Sequence, residues 1–241
     1  MTVYIAQPSA STKRAAQNRS ALEHVFTTIN ADSCPRSYNF HMHTVCSDGK
    51  LRPEVLMQQA LNIGLKGLAI TDHHSVDGYC IAQHWLNEWW AKNQASDSRL
   101  AQAPHLWTGV EINAGVLDTE VHILGYAFDP EHPRMNPYLQ GEVVRGKEYQ
   151  GSQVINAIQQ AGGLAVLAHP ARYRRRSAAE LIPEVARLGI DGIEVYYAYT
   201  NPNPWRPSPK KTEQVKELGA KYGLLQTCGT DTHGSSLLLR L

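Results

Sequence analysis

The chain has 241 residues, 42% hydrophobic and 19% charged, which suits one large globular domain and excludes a disordered or collagen-like polymer. A formal net charge of +1 gives no overall footprint for nucleic acid or an anionic membrane, so no extended nucleic-acid surface is expected. No apolar run reaches the length of a spanning helix, no signal-peptide pattern opens the chain, and the four cysteines include no Cys-x-x-Cys. These features predict a cytoplasmic protein with small buried thiols, not a membrane protein or a disulfide framework.

Residues 1–18 are rich in Ala, Ser, Gln and Thr and predict a mobile tail. Leu22, Val25, Phe26 and Ile29 fall at helical spacing, so residues 1–36 read as a tail with a short helix and 37–241 as the main domain. Phe40 to Val45 reads as a strand end, where His41 and His43, at i and i+2, project to one side. Asp48 follows in a Ser-Asp-Gly turn that returns the chain past the same end. Pro53 opens and Gly64 closes the next helix, with Leu56, Ala60 and Ile63 as its buried stripe. Gly67 to His73 is an apolar run of the kind found in doubly covered strands, and it ends in Asp72 and His73.

A helix over Tyr79–Asn93 follows, with Trp85, Trp89 and Trp90 as packing residues, and then a polar loop over 96–104. His105–Asn113 reads as a third strand carrying Glu111, and Val121–Tyr126 as a fourth carrying His122. A Pro-rich turn precedes a helix expected from Gly141 to Ala161, which Gly162 and Gly163 stop. Leu164–Pro170 is another buried strand, ending in His169. Ser177 and Glu180 suggest a capping box, yet Pro183 then falls inside the helix, so its start lies anywhere from Ser177 to Pro183. Ile190–Tyr197 is a strand containing Glu194, 201–209 is irregular, Thr212–Tyr222 is helical, and a last strand, Gly223–Gly229, leads to Asp231 and His233. The alternation predicts an α/β fold of right-handed βαβ units.

The polar residues at strand ends are His41, His43, Asp48, His73, Glu111, His122, His169, Asp231 and His233. They include six of the eleven histidines. In a closed or nearly closed parallel barrel all these ends open on one rim. Transition ions take about four to six ligands each, so nine donors suit two or three divalent ions. Arg172 is the best-placed guanidinium for a bidentate phosphate contact, while Arg174, Arg175 and Arg176 read as a solvated charge run. Asp72 is placed to orient a liganding imidazole. His74 is expected to be exposed or hydrogen-bonded, and His24, His84, His105 and His132 to be surface or packing residues. Tyr196, Tyr197 and Tyr199 either line the pocket or pack.

In order along the chain, His41-x-His43-Thr44-x-x-Ser47-Asp48-Gly49, Ile70-Thr71-Asp72-His73, Gly109-Val110-Glu111-Ile112, His122, Ala168-His169-Pro170 and Gly229-Thr230-Asp231-x-His233-Gly234 resemble the motifs of the PHP (polymerase and histidinol phosphatase) family. The resemblance implies a distorted seven-stranded (β/α) barrel, similar to a TIM barrel, with a dinuclear or trinuclear site of manganese, iron or zinc. It implies that His41, His43, Glu111 and Asp231 hold one ion, that Glu111 bridges to a second held by His122 and His169, and that Asp48, His73 and His233 hold a third. Of these, His41, His43, Asp48, Glu111 and Asp231 are the expected catalytic residues, and Arg172 resembles a phosphate-binding arginine of the family. The implied activity is phosphoester hydrolysis by a hydroxide formed from metal-bound water.

Ala161–Pro170 and Asp191–Tyr196 are most similar to the stand-alone phosphoesterase branch, which implies a small phosphorylated substrate, a 3',5'-nucleoside bisphosphate or short RNA. The stretch between His122 and His169 is too short for the helical insertion of those relatives, which bears on specificity. Histidinol phosphate is the alternative substrate, and an inactive metal- or nucleic-acid-binding module the alternative of another class.

Overall fold

Arg19–Phe26 forms α1, whose N-cap Asn18 accepts a bond from the Ala21 amide and which buries Leu22 and Phe26 in the larger of two apolar cores. The computed structural model describes residues 15–93 and 103–241, so the expected tail up to residue 14 and the expected polar loop over 96–102 lie outside the described residues. A parallel three-stranded sheet follows, of β1 (Tyr38–Asn39), β2 (Gly67–Ala69) and β3 (His105–Trp107). Its crossovers are α2 (Pro53–Ile63) and α3 (Asp77–Asn93). Pro53 sits in the first turn of α2, and Gly64 ends it at φ 80°, a left-handed conformation that glycine adopts without a Cβ penalty. Trp85 and Trp89 pack against the smaller core, whereas Trp90 is exposed.

The second sheet runs β4 (Gly109–Val116), β5 (Thr119–Tyr126), β6 (Leu164–Leu167), β7 (Gly192–Tyr196) and β8 (Leu225–Cys228). Between its later strands lie α4 (Gly151–Gln160), α5 (Ala178–Arg187) and α6 (Pro209–Lys221). The class is mixed α/β, and neither sheet closes on itself. Backbone bonds nevertheless join the sheets on both sides of the rim: Phe40 N to Cys228 O, Asp231 N to His41 O and His43 N to Thr232 O on one, and Glu111 N to Asp72 O with His74 N to Glu111 O on the other.

Four sequence expectations are corrected. The third strand is two: Thr108 leaves the ladder to bond Phe128 O through its hydroxyl, so 105–107 pairs in parallel with β2 while 109–116 pairs antiparallel with β5. The arrangement is not uniformly parallel, because β4 and β5 form a tight hairpin through Leu117 and Asp118 and β5 also runs antiparallel to β6. The expected helix from Gly141 begins only at Gly151, since Gly141 and Gly146 have φ of 76° and 68°, outside the right-handed helical region. The strand expected at Phe40–Val45 is reduced to isolated bridges, Met42 to Thr232 and Thr44 to Leu51. The ambiguity at Ser177 resolves as a capping box, with the Glu180 carboxylate accepting from Ser177 N. The helix then runs through Pro183 while Leu181, Ile182 and Val185 stay buried.

Candidate metal centre

The nine expected donors converge where the two sheets meet. Glu111, on β4, is 1% exposed and divides its oxygens. Oε2 lies 3.0 Å from His41 Nε2, 3.0 Å from His43 Nε2 and 3.6 Å from His73 Nε2, and Oε1 lies 2.7 Å from His122 Nδ1 and 3.4 Å from His169 Nε2. Asp231 Oδ1 stands 3.4 Å from His41 Nε2 and 3.2 Å from His43 Nε2. Asp48, more exposed, places Oδ2 3.2 Å from His233 Nε2 and 3.8 Å from His73 Nε2, and Oδ1 3.5 Å from His43 Nδ1. Three groups of mutually close donor atoms result: His43, Asp48, His73 and His233; His41, His43, Glu111 and Asp231; and His73, Glu111 and His122. His169 joins them through Glu111. Two donors, His169 and Asp231, sit at positive φ, 29° and 52°, local strain that the surrounding bonds hold in place.

The electrostatics favour a cation at the middle. Burial alone would keep the rings neutral, but the carboxylates outweigh it, pushing His41 well up and His43 to about 9. Burial would likewise raise Glu111 and Asp231, and the imidazoles instead hold both well below the usual carboxylate range. His73 differs: burial, only partly opposed by Glu111, lowers it to about 4. The donor set fits divalent ions on a further ground. Both ring nitrogens of His43 and of His169 are buried without a hydrogen-bond partner, although His43 Nε2 lies 3.0 and 3.2 Å from two carboxylate oxygens. Buried nitrogens left so are costly unless an electrophile takes their lone pairs.

The supporting shell contains residues that sequence reasoning left without a role. Glu194 is fully buried; Oε1 lies 3.0 Å from His41 Nδ1 and Oε2 accepts from His169 N at 2.8 Å. Because a carboxylate only accepts, Nδ1 carries a proton, which leaves Nε2, set against the Glu111 and Asp231 carboxylates, as the nitrogen that would bind an ion on losing its own. An acidic side chain in the strand Gly192–Tyr196, apolar on both sides of it, has to be partnered, and that is the available signal. Arg240 donates to Asp231 Oδ2 at 2.8 Å, joined by Tyr197 Oη at 2.7 Å and Arg172 Nη1 at 3.3 Å. Nothing in the sequence around Arg240 points to this contact. Of the three tyrosines left open, Tyr197 meets Asp231, Tyr196 bonds Gln226, and Tyr199 accepts from Ala171 N.

One further expectation, for Asp72, changes. Asp72 orients no imidazole; its carboxylate accepts from Thr44 N, Thr44 Oγ1 and Ser47 Oγ, each at 2.7 Å, and so fixes the loop between His43 and Asp48. His74 is buried, its Nε2 accepting from Asn113 N. Arg175 and Arg176 pair with Asp118 at the surface, as a solvated charge run does. His84 pairs with Glu88, His105 bonds Ala15 O, and His132 accepts from Arg134 N.

Carboxylates and imidazoles gathered where the two sheets meet, with an arginine at the edge, form a centre suited to metal-dependent hydrolysis. The PHP domain pattern matches residues 39–201. The 5'-3' exoribonuclease Rnm of Salmonella typhimurium is 26% identical over 266 residues, covering 81% of this chain and 85% of that protein. Those aligned positions outnumber the chain's 241 residues, so that relative holds segments lacking here. Among solved structures, a candidate metal-dependent phosphoesterase from Bifidobacterium adolescentis superposes with a TM-score of 0.65 at 23% identity, over 83% of this chain and 89% of its own. An amidohydrolase from Chromobacterium violaceum, solved with sulfate and no metal, gives 0.65 at 19%, over 85% and 90%. The chain belongs to the PHP domain family. It is a metal-binding hydrolase of phosphoester bonds.

Proposed function

We propose that the chain hydrolyses a phosphoester of a small nucleotide-like substrate, a 3',5'-nucleoside bisphosphate or the 5' end of a short RNA, using two or three manganese, iron or zinc ions. The observation that carries this reading is the division of Glu111, one oxygen towards His41, His43 and His73 and the other towards His122 and His169. On this reading His41, His43, Glu111 and Asp231 hold one ion, Glu111, His122 and His169 a second, and Asp48, His73 and His233 a third. Such ions, when bound, supply Lewis acidity at phosphoryl oxygens and lower the pKa of water. The chain's own residues orient that chemistry. Glu194 holds the proton of His41 at Nδ1, Tyr197 and Arg240 fix Asp231, and Arg172, half-exposed, keeps donors for a phosphate.

The exoribonuclease named among the relatives supports the nucleotide class. The backbone bonds between the sheets support reading the fold as a distorted barrel, with residues 37–241 as the catalytic unit. The absence of a disulfide among the described residues Cys34, Cys46, Cys80 and Cys228 accords with a reducing, cytoplasmic compartment.

The test combines the changes His41→Ala and Asp231→Ala. Manganese-stimulated turnover of an aryl phosphate and of a nucleoside 3',5'-bisphosphate should vanish, and elemental analysis should show less bound metal. Unchanged turnover in the double variant would reject the proposal.

A further inference from the structure

A cleft of ≈ 280 Å³ opens between the stretch after β7 and the first turn of α6. Its charged lining is Arg206, Lys210 and Lys211, with no carboxylate, and Tyr199 and three prolines contribute to the rest. The cleft is coupled to the metal centre. Tyr199 meets Tyr197 edge to face, centroids 4.8 Å apart, and Tyr197 donates to Asp231. Ala171 N donates to Tyr199 Oη, and Lys211 Nζ donates to Ala171 O at 2.8 Å. The loop carrying Arg172 therefore rests on residues of the cleft.

Lys211 is committed to that loop and to the Tyr199 ring, 4.7 Å below its Nζ. Arg206 and Lys210 are exposed and make no ion pair or hydrogen bond among the described residues. Like charges gathered in one cleft repel, and Lys210 and Lys211 also occupy a helical first turn that holds no acidic residue, where the backbone dipole disfavours positive charge. A bound anion relieves both costs.

We infer that this cleft is a second anion subsite, taking a phosphate of a single-stranded oligonucleotide other than the one hydrolysed. The inference rests on the phosphoesterase reading and narrows it to substrates with at least two separated phosphates. With Lys211 seated over Tyr199, no ring face is offered for stacking on that side, so the subsite reads charge and not base identity.

The test compares wild type with the Arg206→Ala, Lys210→Ala double variant, both metal-loaded, on a 5'-phosphorylated trinucleotide and on an aryl phosphate. The trinucleotide KM should rise about tenfold with kcat unchanged, and the aryl phosphate kinetics should not move. Binding of a fluorescently labelled trinucleotide gives a second readout. Each single-strand phosphate contact contributes about 0.7 to the salt slope, so losing the one phosphate held in the cleft should make the slope shallower by about 0.7 in the variant. An equal trinucleotide KM, an unchanged salt slope, or an equal loss on both substrates would overturn the subsite. If wild type turns over neither compound, the parent reading fails, and the salt slopes still decide the subsite.

Discussion

The two oxygens of Asp231 have different duties: Oδ1 faces His41 and His43, while Oδ2 is held by Tyr197, Arg172 and Arg240. Arg240 is the least exposed of the two arginines, so it acts on Asp231 as a positioning residue. Arg240→Ala is expected to weaken metal binding about 10- to 100-fold, the usual effect of removing an outer partner of a ligand. Arg240→Lys should recover only part of it, because a single ammonium does not reproduce the guanidinium fork. Titration of the metal-free protein with manganese measures both, and unaltered affinity in Arg240→Ala would count against the role. His73, His169, Asp231 and His233 were legible in the sequence because each follows an apolar run, His41 and His43 because they share a face by simple alternation, and Asp48, Glu111 and His122 through the family motifs that hold them. Glu194 and Arg240 were not assigned roles, because their partners are chosen by tertiary contacts that no local spacing encodes.

At the level of elements, β8 approaches the His41 segment closely enough that only glycine fits at 229. A Cβ there would collide with His41 Cβ and lie 2.8 Å from His41 N and 2.9 Å from Glu194 Oε1. The neighbours are backbone and a buried carboxylate, so they cannot swing aside. Gly229→Ala should therefore cost about 1–3 kcal/mol, in the range of overpacked cores, and should lower metal content along with the melting temperature. A variant that keeps both would show that β8 and His41 can separate without loss. Most helices were legible from periodicity and end signals, as Pro53 and Gly64 show for α2. The hairpin between β4 and β5 was not, because Leu117 and Asp118 lack the Asn-Gly or Asp-Gly signature that usually marks a two-residue turn; Leu117 nevertheless adopts φ 56°.

For the whole molecule, the centre joins both sheets and the segment after β8, so ion binding is expected to brace the fold and not a single loop. Free metal at about 100 times its dissociation constant adds about 2.7 kcal/mol to stability. For a chain of this size that corresponds to roughly 5–10 °C in melting temperature. Thermal melts with manganese and with a chelator measure it, and coincident curves would mean that the folded state takes up no ion. Alternation of strands and helices carried the α/β class but not the direction of β4 and β5, since a short hairpin and a parallel crossover both appear in sequence as two apolar runs.

That hairpin sets a rule for change along the chain. Glu111 and His122 are eleven residues apart and touch at 2.7 Å across facing strands, so their meeting depends on the ladder and not on distant folding events. Extra residues at the bend leave the pair facing each other, whereas one added inside either arm would turn a donor away from its mate. In this stretch, where a residue is gained or lost therefore matters to the pair as much as which residue it is.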